Sequence, residues 1–290
     1  MNERIPIVLK ADGDCAYAEA LAAHLKTTLL HTTPDAPVWL SVDAAGLSLT
    51  DGDQAMRGDF TKLQKRLQYH NLTHELLVKA TKVKGRENLR VIDATAGMGE
   101  DSLLLAAACC EVTLFEQDPV IAALLQDTMR RALEDAALHE IVMRMQLVEG
   151  DSIGHLRRLG EAATGSDAPE DDAGHACSTL AASAATGNDA AAATNGADTA
   201  LKRPDVIYLD PMFPERQKSG LVKKKFQLIH YLEAPAENEE ALMQAAIDAR
   251  PFKIVVKRPA KGPYLAGLKP SYSLDGKAIR YDCYVFPENA

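Results

Sequence analysis

Two short stretches carry residue types that do chemistry. The first is DATAGMGED, Asp93 to Asp101, which follows the apolar run LRVI and leads into EDSLLLAAACC. Gly97 and Gly99 allow a sharp bend and a close backbone approach to a ligand. A strand turning into a helix at such a loop forms the crevice where parallel sheets bind their ligands. A dinucleotide is disfavoured there. The third glycine of G-x-G-x-x-G is replaced by Ser102, no P-loop lysine follows, and Asp93, Glu100 and Asp101 would repel a pyrophosphate at the helix N-terminus. A cationic ligand reverses the sign. S-adenosylmethionine has a sulfonium and an ammonium group and no phosphate, so the same carboxylates attract it. Glu116 ends the next apolar run, where a carboxylate can accept from a ribose diol. Asp151 and Ser152 end the run after that and can receive an adenine amine. Plainer roles stay open: Glu100 and Asp101 complement a helix dipole, and Asp151 suits an N-cap.

The second stretch is YLDPMFPERQKSGLVKKK, Tyr208 to Lys225, in which an apolar run stops at a carboxylate, two prolines and an aromatic ring. Asp210-Pro211-Met212-Phe213 resembles the Asp/Asn-Pro-Pro-aromatic signature of methyltransferases acting on amines conjugated to planar rings. Such an amine is a poor nucleophile because its lone pair is delocalised. A carboxylate (Asp210) and a carbonyl (Pro211) that accept its N–H groups favour pyramidalisation and aim the lone pair, while Phe213 can stack on the ring. Catalysis would then be orientation and electrostatics around an in-line transfer. Met212 departs from the signature, which is tolerable if the acceptor is the Pro211 carbonyl. The alternative is a strand ended by Pro211 and Pro214, with Phe213 in the core. Arg216, Lys218, Lys223, Lys224 and Lys225 follow this stretch, and Lys257-Arg258 ends the next apolar run; these are candidate RNA phosphate contacts. A base in a hairpin would have to be unstacked to reach Asp210.

Elements must place these residues together. From Leu89 the chain alternates strand and helix patterns: LRVIDATAG, EDSLLLAAACC, EVTLFEQD, a helix opened by Pro119, MQLVEGD, SIGHLRRLG, DVIYLDP, ENEEALMQAAIDAR and FKIVVKRP. This predicts a doubly wound, mostly parallel sheet with helices on both faces. PSYSLDGKAIRYDCYVF predicts a closing antiparallel hairpin through Asp275-Gly276. Ahead of it, IPIVL, AYAEALAAHLKTTLL and VWLSVDAAGLSLTD predict a small α/β unit over residues 1–60 with a hairpin at Ala45-Gly46. FTKLQKRLQYHNLTHELLVKATKV has a helical pattern with several cations and ends at Gly85. Residues 61–290 then form the main domain. Within it, residues 161–200 are mostly Ala, Gly, Ser, Thr and Asp, and are expected to be a flexible insertion without a catalytic role.

Composition bounds the partners. The 290 residues carry a formal charge of −9, yet Lys202 to Arg280 holds 15 Lys/Arg against 9 Asp/Glu. A basic third on an acidic protein permits a polyanionic partner at one face. The N-terminus lacks an export signal and no apolar run is long enough to span a membrane, so a soluble cytoplasmic protein is expected. Five scattered cysteines, Cys15, Cys109, Cys110, Cys177 and Cys283, form no C-x-x-C pair and fit a reducing compartment.

VIDATAGMGEDSLLLA, YLDPMFPERQKSGLVKKK, VVKRPAKGPYLAG and IRYDCYVF together resemble the bacterial 16S rRNA guanine-N2 methyltransferases of the ribosomal RNA small subunit methyltransferase J family. The resemblance runs from about Gly58 to the C-terminus, excluding the insertion. It implies a Rossmann-like S-adenosylmethionine-dependent methyltransferase fold and methylation of the 2-amino group of a guanine in 16S rRNA, position 1516 in the usual ribosomal numbering. It also implies cofactor contacts at Glu100-Asp101, Glu116-Gln117, Asp151-Ser152 and Asp210, with free 16S rRNA or the small ribosomal subunit as partner. Other readings are a methyltransferase for adenine or a glutamine amide, and a non-catalytic RNA-binding assembly factor. His70 and His74 share a helical face at i,i+4, but no convincing third ligand lies nearby in sequence, and no metal is expected.

Overall fold

The computed structural model describes residues 5–164, 203–211, 228 and 238–287. The chain opens with β1 (Ile7–Leu9), α1 (Cys15–His24), β2 (Leu29–Leu30), the hairpin β3 (Trp39–Asp43) and β4 (Gly46–Thr50), and β5 (Ala55–Met56). Their sheet has the order β2-β1-β3-β4-β5. The helix pattern runs on to Leu30 in the sequence, but α1 stops at His24. Lys26 adopts a left-handed conformation (φ +51°), and Leu29-Leu30 instead pair in parallel with β1.

A second difference lies between Phe60 and Thr81. One helical run is broken into a 3-10 turn (Phe60–Leu63), α2 (Gln64–Leu67), α3 (Tyr69–Leu72) and α4 (Leu76–Thr81). Gln68 and Glu75 leave the helical region, with ψ of 134° and 126°. Polar side chains compete for the backbone here: Asn71 donates to the Lys65 carbonyl and Thr73 to the His70 carbonyl.

The larger sheet contains β6 (Arg90–Asp93), β7 (Glu111–Glu116), β8 (Met145–Glu149), β9 (Val206–Leu209), β10 (Lys253–Pro259), β11 (Tyr272–Asp275) and β12 (Ile279–Val285). Its order is β11-β12-β10-β9-β6-β7-β8, parallel from β10 to β8, with an antiparallel β11–β12 hairpin at one edge. The alternating side chains feed two cores. Val91, Val206, Tyr208 and Val255 join one, which includes α5 (Glu100–Ala107). Ile92, Ile207, Leu209, Ile254 and Val256 join the other, which includes α8 (Ser152–Thr164) and α9 (Glu239–Asp248). The short α7 (His139–Val142) covers the first of these faces. The period of two therefore serves a sheet buried on both sides.

α6 (Pro119–Leu133) joins the two sheets. Asp118 caps it, accepting from the Val120 and Ile121 N–H groups, ahead of Pro119 in the first turn. Leu125 and Ala132 face the large core, while Ile121, Ala123 and Leu124 face the small sheet. Asp127 sits at this junction with no exposed surface. It accepts from the Leu47 backbone N–H of β4 (3.0 Å), from Arg131 (2.8 Å) and from Arg130 (3.0 Å). Asp127→Ala strands that N–H and takes a buried carboxylate from Arg130 and Arg131, which keep Glu134 and the Gly58 carbonyl, so it should lower the unfolding free energy by about 1–3 kcal/mol. A urea titration reads this directly, and a variant of parental stability would contradict the assignment.

Candidate active site

The order of the large sheet reverses between β6 and β9. The chain goes from β6 outward to β7 and β8, then returns to the other side of β6 as β9. Ligands of such sheets bind at this switch point, beyond the carboxyl ends of the strands. The glycine loop leaves β6 there and Asp210 leaves β9, side by side.

The loop is fixed from within. Asp93, fully buried, accepts from the Ser102 hydroxyl (2.5 Å) and the Thr95 N–H (3.1 Å). Glu116, at the end of β7, accepts from the Gly97 N–H (2.9 Å) and the Asp118 N–H (2.8 Å). Gly97 and Gly99 both have positive φ, +53° and +74°. A Cβ on Gly99 would strain its left-handed backbone and would meet the Leu125 Cδ1 methyl at 2.6 Å, so that leucine would have to move. A Cβ on Gly97 would meet nothing within 4 Å, so the loop presents a bare, open face where a ligand can lie against it.

The strand register builds the second half of the site. Leu209 pairs with Val256 in parallel, which brings Lys257 level with Asp210. Tyr208, Asp210, Val255 and Lys257 then point to the same side, toward the N-terminus of α5. Lys257 Nζ donates to Asp210 Oδ2 (2.9 Å) and to Asp101 Oδ2 (2.7 Å), and the Tyr208 hydroxyl donates to that same Asp101 oxygen (2.6 Å). The Asp210 N–H donates to the Thr95 hydroxyl (2.6 Å), tying the β9 end to the glycine loop.

Burial and charge perturb this cluster. Burial pushes Asp93 up to about 7, against the hydrogen bonds from Ser102 and Thr95. Burial also raises Glu116 and Asp210; the Lys257 cation opposes the rise at Asp210. Lys257 itself is disfavoured as a cation by burial, but Asp210 and Asp101 outweigh this and hold it above the ordinary lysine range. Carboxylates therefore surround the loop's open face, with one lysine balancing two of them. That arrangement fits a ligand with a sulfonium and an ammonium group.

Other candidates fall as follows. Glu100 and Asp101 occupy the first turn of α5. Asp151 accepts from the Ile153 and Gly154 N–H groups at the start of α8, and Ser152 is buried beside it. Gln117 lies between Glu116 and the Asp118 cap. Pro211 is buried next to Asp210. Two basic candidates change character. Lys257 is held inside the site rather than offered to solvent. Arg258 is 1% exposed, donates to Glu239 (3.0 Å) and the Pro263 carbonyl (3.1 Å), and has no free face for a phosphate. Met212, Phe213, Arg216, Lys218, Lys223, Lys224 and Lys225 lie outside the described residues, as does almost all of the 161–200 insertion. The His70 and His74 rings touch edge to face at 5.2 Å, and among the described residues no three His, Cys, Asp or Glu side chains are grouped to hold a metal. Among the described residues no helix is long and apolar enough to cross a membrane. Thr95 and the Tyr208 hydroxyl carry no motif of their own; the cross-strand register is what brings them in.

A seven-stranded sheet of this order, with a glycine loop at its switch point and acidic strand ends around it, defines an S-adenosylmethionine-dependent methyltransferase. The SAM-dependent methyltransferase family model SAM_MT matches residues 23–165 and 181–286. The chain is 37% identical over 290 residues to Ribosomal RNA small subunit methyltransferase J of Thioalkalivibrio sulfidiphilus, spanning 98% of each. It is 35% identical over 288 residues to the Pseudomonas fluorescens protein of the same name, spanning 97% of this chain and 94% of that one. A crystal structure of a SAM-dependent methyltransferase from Neisseria gonorrhoeae superposes with a TM-score of 0.68 at 26% identity, covering 97% and 95% of the two chains. The chain belongs to the ribosomal RNA small subunit methyltransferase J family.

Asp93 yields a pH-dependent expectation. Its folded pKa, about 7, lies above its unfolded value. The native state therefore holds a proton that the unfolded chain has lost, and this contribution to stability declines as pH rises from about 4 to about 7. Asp93→Asn removes the titration. The stability of the variant relative to the parent should rise across that window in urea titrations, and a constant difference would contradict the burial-driven shift.

Proposed function

We propose that this enzyme methylates the exocyclic N2 amine of a guanine in 16S rRNA, position 1516 in the usual ribosomal numbering, acting in the cytoplasm on the rRNA or the small ribosomal subunit. The observation that carries the reading is the placement of Asp210. It sits at the switch point, level with Lys257 and tied to the glycine loop through Thr95.

Glu116, Asp101 and the open face at Gly97 would hold the cofactor, with Glu100, Gln117, Asp151 and Ser152 around it. Bound there, S-adenosylmethionine would supply the electrophilic methyl group, with its neutral thioether as the leaving group. Lys257 holds Oδ2 of Asp210, so Oδ1 is the acceptor for one amine N–H, and the Pro211 carbonyl is the acceptor for the other. Phe213 would stack on the guanine ring. As the new N–C bond forms, the amine becomes more acidic, and Asp210 takes the proton and passes it to solvent. Burial raises the affinity of Asp210 for that proton, and the Lys257 cation limits the rise so that the carboxylate stays ionised before the reaction.

Two measurements test these roles. Asp210→Ala should lower single-turnover methyl transfer to undermethylated small subunits by about 10²-fold or more, while calorimetric affinity for S-adenosylmethionine changes by less than about tenfold. Parental turnover in that variant would remove Asp210 from the chemistry. Lys257→Gln deletes the main cation facing Asp210; Asp101 and the more distant Arg258 remain. Asp210 should then stay protonated to higher pH, and the acid limb of the kcat/KM profile should move upward in pH. A limb at its parental position would show that Lys257 does not control Asp210.

A further inference from the structure

The turns between Phe60 and Thr81 and the residues just after them form a basic rim that the motif reading leaves unassigned. From Lys62 to Lys84 the chain carries six Lys/Arg (Lys62, Lys65, Arg66, Lys79, Lys82 and Lys84) against a single carboxylate, Glu75, in a protein of charge −9. Here the broken helix has a consequence. The reversals at Gln68 and Glu75 leave an open cleft of about 370 Å³ lined by two of these cations, Lys65 and Arg66, with Asn71, His74 and Glu75.

The cleft is preformed. Arg66 makes a two-pronged pair with Glu75 (2.8 and 2.9 Å), and Asn71 donates to the Lys65 carbonyl (2.6 Å). The segment is anchored to the large sheet by the buried Lys253, which donates to the Ala80 and Lys82 carbonyls at the end of α4. At the reversal, Tyr69 stands 84% exposed. The cleft also lies near the methyl-transfer site: α2, which carries Lys65 and Arg66, packs against α5, whose first turn holds Glu100 and Asp101.

We infer that this cleft is an RNA-binding site, with Lys65 receiving backbone phosphate next to the target nucleotide, Arg66 and Glu75 holding the cleft in shape, and Tyr69 stacking on an adjacent unpaired base. Cations with an exposed ring are the combination that single-stranded RNA uses, phosphate for position and ring for the base. The inference rests on the rRNA reading above.

The test compares Lys65→Glu, Tyr69→Ala and, as a charge control, Lys10→Glu, exposed on the smaller sheet. Binding to undermethylated small subunits is measured across a salt series, together with methyl-transfer KM and calorimetric S-adenosylmethionine affinity. Tyr69→Ala should weaken RNA binding on the order of tenfold. Lys65→Glu should weaken it several-fold and reduce the slope of log K against log salt by about one. Both should raise KM, leave cofactor affinity at the parental value, and exceed any effect of Lys10→Glu. Parental RNA affinity, slope and KM in both variants, with an active parent enzyme, would make the rim a solvated surface and overturn this inference alone. A parent that neither binds nor methylates small subunits would overturn the rRNA reading and the cleft with it.

Discussion

The site depends on one partly buried lysine shared between two carboxylates. Lys257 bridges Asp210 at the end of β9 and Asp101 at the start of α5, and Tyr208 completes the contact from the neighbouring strand. Three elements meet there, and the opposite charges offset one another's cost of partial desolvation. In the proposed reaction the same set would keep one carboxylate as the acceptor beside a cationic cofactor, and the Thr95 bond ties the end of β9 to the glycine loop.

A second constraint is the junction at α6. Its two faces belong to different cores, and Asp127 ties it to a backbone N–H of β4. The same helix packs Leu125 against Gly99, whose left-handed conformation opens α5. The smaller sheet is therefore joined, through one helix, to the glycine loop.

The sheet was legible because both its faces are buried: Val91-Ile92, Val206 to Leu209 and Ile254 to Val256 are consecutive apolar residues rather than alternating ones, as strands covered by helices on both faces read. The acidic strand ends were legible as a set because each ends a strand of one parallel sheet. Side-chain direction beyond the strand ends was not. Lys257 and Arg258 look alike in sequence as a basic pair after an apolar run, yet register with Asp210 turns the first into the site, while Glu239 on α9 draws the second into the opposite core. The breaks at Gln68 and Glu75 were hidden because Asn71 and Thr73 are tolerated in a helical pattern, and only their hydrogen bonds to nearby carbonyls reveal the reversal.

The most direct test is incorporation of labelled methyl from S-adenosylmethionine into undermethylated small subunits and free 16S rRNA, followed by mass-spectrometric mapping of the modified nucleotide. Label at N2 of a single guanine, at the proposed position, is the expected result, and the better of the two substrates would show whether the enzyme acts before or after assembly. Label on a different base or a protein amide, or none in either substrate with cofactor bound, would contradict it.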